Sequence, residues 1–199
     1  LSRETLWQDV IAKSPHKPRD YNNLGQFYQD EGQPERSKSY FLKMLKLDPF
    51  YHYEAHLPLG WAFQEQSNLP KARYHYEESL KLNSTQPKAL YNLGLVHYDE
   101  GEFRIAAKYF QEALKFSPDN VGFRYQLAAS DYFMGLFDQA AVELTQCLRI
   151  DPNALECNFL MGLTFFEQER YENAIASFKR VLELDAQQGR AHFFLARTY

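Results

Sequence analysis

Cysteine occurs only twice in 199 residues, at Cys147 and Cys157. Two cysteines make neither a disulfide framework nor a zinc site, and both read as small packing residues. Glycine and proline are sparse at nine each. That is below the combined share of about 12% in an average protein, and a fold of many short strands would need more turn residues. Positive charge is not in excess: the net charge is −4, so no basic field invites a nucleic-acid partner. Long apolar runs are missing too. The most apolar stretch, residues 157–166, includes Asn158 and is too short to enter a bilayer as a span. No charged start leads into an apolar run, so no signal peptide is read. What is present is an ordinary folded-protein mix, 45% hydrophobic and 24% charged, with 14 Tyr and 16 Phe that must be packed or used. The chain opens on Leu1 and stops at Tyr199 inside a helical pattern, which reads as a piece of a longer protein.

The sequence repeats itself. The pairs beginning at Leu24, Leu59, Leu93, Leu127, Met161 and Leu195 are each followed by glycine or alanine, at steps of 35, 34, 34, 34 and 34. Ser37, Ala72, Ala106, Ala140 and Ala174 keep the same steps, as do Phe41, Tyr76, Phe110, Leu144 and Phe178. Counting Pro18 as place one gives units at 18–51, 53–86, 87–120, 121–154 and 155–188, with a half unit at 1–17 and a truncated one at 189–199. The whole is expected to form one domain, residues 1–199. Each unit reads as two helices, because apolar residues recur three and four apart on either side of a central break. Gly32, Gly101 and Gly135 mark that break, where a helix end prefers a left-handed residue. Small residues at places 8 and 20 let two backbones approach, and the large residue at place 24 fills the space beside them. One helix pair cannot bury its apolar face alone, so the units must stack. The expected fold is all-α: a right-handed α-solenoid of antiparallel helix pairs, with a concave face lined mainly by each first helix.

These columns resemble the tetratricopeptide repeat: 34 residues, Leu-Gly early, Ala near the middle, an aromatic four later and Pro at the end. Pro58 inside a first helix, and Arg124 and Asp131 in columns usually aromatic, depart from the pattern and put local helix geometry in question. The resemblance implies a protein-interaction scaffold without enzymatic activity or cofactor, binding a peptide or protein in its groove. In this family places 2, 5, 6, 9, 12 and 13 look into that groove. They nominate Trp61, Tyr91, Asn92, Leu95, Tyr98, Tyr125, Tyr132, Phe159, Phe166 and Phe193. The groove thus starts polar, at Asn22 and Gln29, and becomes aromatic from the third unit onward. Aromatics at these places also pack between neighbouring helices, and both readings stand. Asp30, Glu31, Asp99, Glu100 and Glu167 end first helices and would select basic flanks. Some members grip acidic tails with a Lys, Asn and Arg clamp. Asn22 and Asn92 stand where Lys and Arg are needed, so only Lys88 matches and no clamp is expected.

Residues 6–25 are similar to the junction at which bacterial multi-pass membrane proteins of the glycosyltransferase type carry such repeats. That gives an alternative: a substrate-recognition or regulatory domain, extracytoplasmic and tethered to a membrane-bound transferase. No phosphate loop, dinucleotide fingerprint or nucleophile elbow is written. His52 and His56 have the spacing of two metal ligands on one helix face, but the zincin pattern is absent and no metal is expected. Residues 189–199 give a first helix with no second, so self-association through that end is expected.

Overall fold

A computed structural model describes residues 2–47 and 52–199, the second stretch with side chains from Ala55 onward. Among the described residues there are twelve helices and no strand. Two compact units divide the chain, Leu1–Val96 and His97–Tyr199. The first holds α1 (Arg3–Lys13), α2 (Pro18–Asp30), α3 (Pro34–Leu47), α4 (His52–Gln64), α5 (Leu69–Leu82) and most of α6 (Pro87–Asp99). The second holds the end of α6, then α7 (Phe103–Phe116), α8 (Val121–Phe133), α9 (Phe137–Ile150), α10 (Leu155–Glu167), α11 (Tyr171–Leu184) and α12 (Gly189–Thr198). Within each unit consecutive helices pack as antiparallel pairs. Alternate helices also touch, α2 with α4 in the first unit and α8 with α10 and α10 with α12 in the second. Within each unit first helices thereby lie beside first helices.

The turn between the helices of a pair is the same backbone device each time. Place 15 is left-handed in all five pairs: Gly32, Gly101 and Gly135 at φ 66°, 78° and 74°, Ser67 at 55° and Glu169 at 59°. The next amide then reaches back to the carbonyl of place 11, as in Gln33 N to Tyr28 O at 2.8 Å and Arg170 N to Phe165 O at 2.9 Å. That bond satisfies a carbonyl the helix end would otherwise leave open.

Packing is decided at places 8 and 24. The rings of Phe41, Tyr76 and Phe178 are fully buried. They lie so close to their glycines that a Cβ on Gly162 would stand 2.5 Å from Phe178, and one on Gly25 would stand 2.9 Å from Phe41. The fourth pair solves the same contact differently, with Ala128 against the smaller Leu144, both fully buried. Helix α4 continues through Pro58, which is buried together with Leu59 and Gly60. The lost N–H is outweighed by packing on both sides of it.

The cysteines correct the sequence reading. They do more than pack: Cys147 of α9 and Cys157 of α10 are joined by a disulfide, with Cα atoms 6.6 Å apart. Both are buried, because place 27 of one pair faces place 3 of the next. The spacing of ten residues hides this proximity, which only the register between successive pairs reveals.

Candidate functional site

The first-helix face carries the residues nominated from sequence. In the first unit Trp61, Tyr91, Asn92 and Leu95 are all half-buried on α4 and α6. Asn92 already has work: its amide is a hydrogen-bond neighbour of the Tyr76 hydroxyl, which also donates to Gln64 Oε1 at 2.9 Å. Burial, the main cause, pushes that phenol well above its ordinary range.

In the second unit Tyr98, Tyr125 and Tyr132 pack with Leu163 against one core cluster that includes Ala128, Leu160 and Met161. Each ring is half-buried. Tyr98 is pushed up to about 12, first by burial and then by the Tyr125 hydroxyl and the Asp99 carboxylate. Tyr132 is raised as well, by burial and by Glu167, whose Oε1 lies 3.5 Å from the Tyr132 hydroxyl. Asp99 is itself raised by burial and by Glu100. The site is therefore a set of rigid rings with hydroxyls beside carboxylates, able to take apolar area and basic groups together. Phe133, which sequence reasoning passed over, is 57% exposed and stacks on Phe103 at 5.0 Å, with Tyr98 edge-on to both.

Phe159, Phe166 and Phe193 come together differently. Phe194 of α12 gathers them, at 6.0 Å from Phe159, 6.2 Å from Phe166 and 5.3 Å from Phe193, while stacking on the core ring Phe178. Arg190 covers the Phe159 ring at 4.7 Å, and Arg197 lies over Phe166, Phe193 and Phe194. These phenylalanines pack against their own chain, and the two arginines over them, at places 2 and 9, were not singled out from the sequence. The alternation of aromatic places with arginine in residues 189–199 was the available signal.

Of the two histidines at ligand spacing, His52 lies outside the described side chains. His56 Nδ1 faces His75 Nδ1 at 2.9 Å, a hydrogen bond in which one ring donates and the other accepts. Among the described residues, the group close enough to share an ion is His97, Glu100 and Glu102. There the His97 ring already bonds Glu102 Oε2 at 2.6 Å, across the turn from α6 to α7, which is a structural use of the ring.

Models of the tetratricopeptide repeat match residues 21–51, 87–120 and 155–188, and a repeat model of the same kind matches 60–101. The comparison with curated proteins finds no match. Among solved structures, the chain is similar to YrrB, described as a TPR protein with an unusual peptide-binding site. The TM-score is 0.81 at 19% identity, over 97% of this chain and 98% of that one. It is also similar to pilF of Pseudomonas aeruginosa, at TM-score 0.79 and 22% identity, over 91% and 82% of the two chains. MamA of Desulfovibrio magneticus RS-1 gives a TM-score of 0.78 at 18% identity, over 86% and 97%. At these identities the likeness is one of fold. The matched families are repeat families of the scaffold type, and none of these comparisons points to a membrane glycosyltransferase.

Proposed function

Since this chain belongs to the tetratricopeptide repeat family, we propose that it is a non-enzymatic scaffold holding a peptide or protein segment against its first-helix face. The observation that carries this is the trio Tyr98, Tyr125 and Tyr132, half-buried on one core, with the Asp99 carboxylate beside Tyr98 and that of Glu167 beside Tyr132. Tyrosine offers rigid apolar area and a polar tip at little cost in rotamer freedom, so such rings dominate binding hot spots. Asp99, Glu100 and Glu167 favour a segment with Lys or Arg beside its apolar anchor. Trp61, Tyr91 and Leu95 are half-buried first-helix residues of the first unit, and YrrB gives the precedent of peptide binding on this fold. Phe159 and Phe166 contribute less to capture, being covered by Arg190 and Arg197. The other reading, a recognition domain of a membrane-bound transferase, has no observation in its favour here.

A peptide library selected on the immobilised chain tests the proposal. Enriched peptides should pair an apolar residue with a basic flank, and should bind the Tyr98→Ala/Tyr125→Ala/Tyr132→Ala variant at least about tenfold more weakly. Peptides that bind the folded variant as well as the wild type place the site off this face.

A further inference from the structure

Places 4, 11 and 23 come together inside the first four helix pairs, and the first three fill them largely with rings. Tyr28 stacks on Tyr40 at 5.4 Å, with Tyr21 beside them. Phe63 stacks on His75 at 5.3 Å next to His56, and His97 stacks on Tyr109 at 5.4 Å. The fourth pair, α8 and α9, has Arg124, Asp131 and Glu143 at these three places. Arg124 Nη1 donates to Glu143 Oε2 at 2.8 Å, which satisfies two of the three.

Asp131 is left over. It is only 5% exposed, and among the described residues its carboxylate has no hydrogen-bond or ion-pair partner. It opens onto two adjoining hollows. The smaller, about 240 Å³, also has Arg104 and Lys108 of α7 in its wall. The larger, about 480 Å³, is lined by Gln111, Asp131, Asp138, Gln139, Val142 and Glu143. Asp138 is held by Gln168 Nε2 at 2.8 Å. Burial first, and Glu143 second, push Asp131 up to about 6. A carboxylate taken out of water without a counter-ion is unfavourable, and such groups concentrate where a ligand supplies the missing charge.

We propose that the larger hollow, between α7, α8 and α9, is a second binding site that takes a guanidinium or primary ammonium group on the Asp131 carboxylate. A metal ion is a poorer occupant, since these carboxylates are not among the described groups close enough to share one. An anion would meet three carboxylates. An organic cation finds Asp131 as its anchor, the Gln111 and Gln139 carbonyls as further acceptors, and Val142 for its alkyl stem. Arg104 and Lys108 face only the smaller hollow and make no ion pair with Asp131. The site is separate from the first-helix tyrosines and does not depend on their role.

Calorimetric titration of the full chain with agmatine, and with a capped peptide bearing one central arginine, tests the site. Both should bind at pH 7.5 and more weakly below pH 6. Asp131→Asn should cut binding at least about tenfold while the melting temperature holds or rises, because a buried charge is removed. Val142→Trp, at a 60% exposed rim position, should block the hollow without touching the core. Tighter binding of the peptide than of agmatine identifies the source as a protein side chain; the reverse identifies a free amine. If neither probe binds, if Asp131→Asn binds them unchanged, or if that variant melts lower because Arg104 or Lys108 already pairs with Asp131, the proposal fails.

Discussion

Glycine at place 8 and a large ring at place 24 are one decision made by two residues. Gly162 leaves no room for a methyl group beneath Phe178. Gly162→Ala should therefore cost about 1–3 kcal/mol through overpacking. The Ala128 and Leu144 contact shows the compensated form. Adding Phe178→Leu to Gly162→Ala should restore part of the loss, so the double variant is more stable than the sum of the singles by at least about 1 kcal/mol. Denaturant titrations of the four proteins check this, and strict additivity would mean the pairs do not compensate. At place 15 the reverse holds. Glu169 sits at φ 59° with a side chain that gains nothing from that conformation. Glu169→Gly should stabilise by about 0.5–1 kcal/mol, seen as a higher melting temperature.

The helix pair was the most legible part of the sequence, because glycines, alanines and rings recur at one period and each column has one packing meaning. What lay outside the columns was hidden for a physical reason. The Cys147–Cys157 bond depends on how far one pair is rotated against the next, and the His56–His75 contact on side chains crossing from α4 to α5. The departures Arg124 and Asp131 were visible as oddities, but their joint placement with Glu143 was not. The tyrosine trio could be nominated by register. Whether a ring packs or waits could not, and Phe194 shows why: one added ring draws Phe159 and Phe166 into the chain's own packing. The histidine pair sets a pH response. Burial, then His56, lowers His75 to about 4, against about 6.5 for an unperturbed histidine. The unfolded chain thus binds the extra proton between those values, so this stability is whole above pH 6.5 and is lost as pH falls towards 4. The loss is bounded at about 3 kcal/mol. His56→Leu/His75→Tyr, the residue types that Leu90 and Tyr109 provide in the next pair, should flatten the melting-temperature profile over that window. A profile as steep as the wild type's would assign the acid sensitivity to other groups.

At the scale of the molecule, the chain is a series of like contacts with unlike tenants: rings in three helix pairs, ions in the fourth, and a cluster of phenylalanines capped by arginine in α10–α12. Helix α12 leaves Phe193 57% and Tyr199 80% exposed. We extend the scaffold reading to self-association through that surface. Light scattering across a concentration series should show reversible growth that Phe193→Ser/Tyr199→Ser abolishes, and a wild type that stays monomeric throughout removes the idea. The disulfide between α9 and α10 has a mechanical side as well. The anchors are ten residues apart in sequence, and the chain between them cannot be drawn out while the sulfurs are joined. A single molecule pulled from its ends should release about 30 Å less contour than its length allows, and regain that length once a reductant is added. The bond is a stitch that divides the tension, so the chain on either side of it can yield while the α9–α10 seam stays closed.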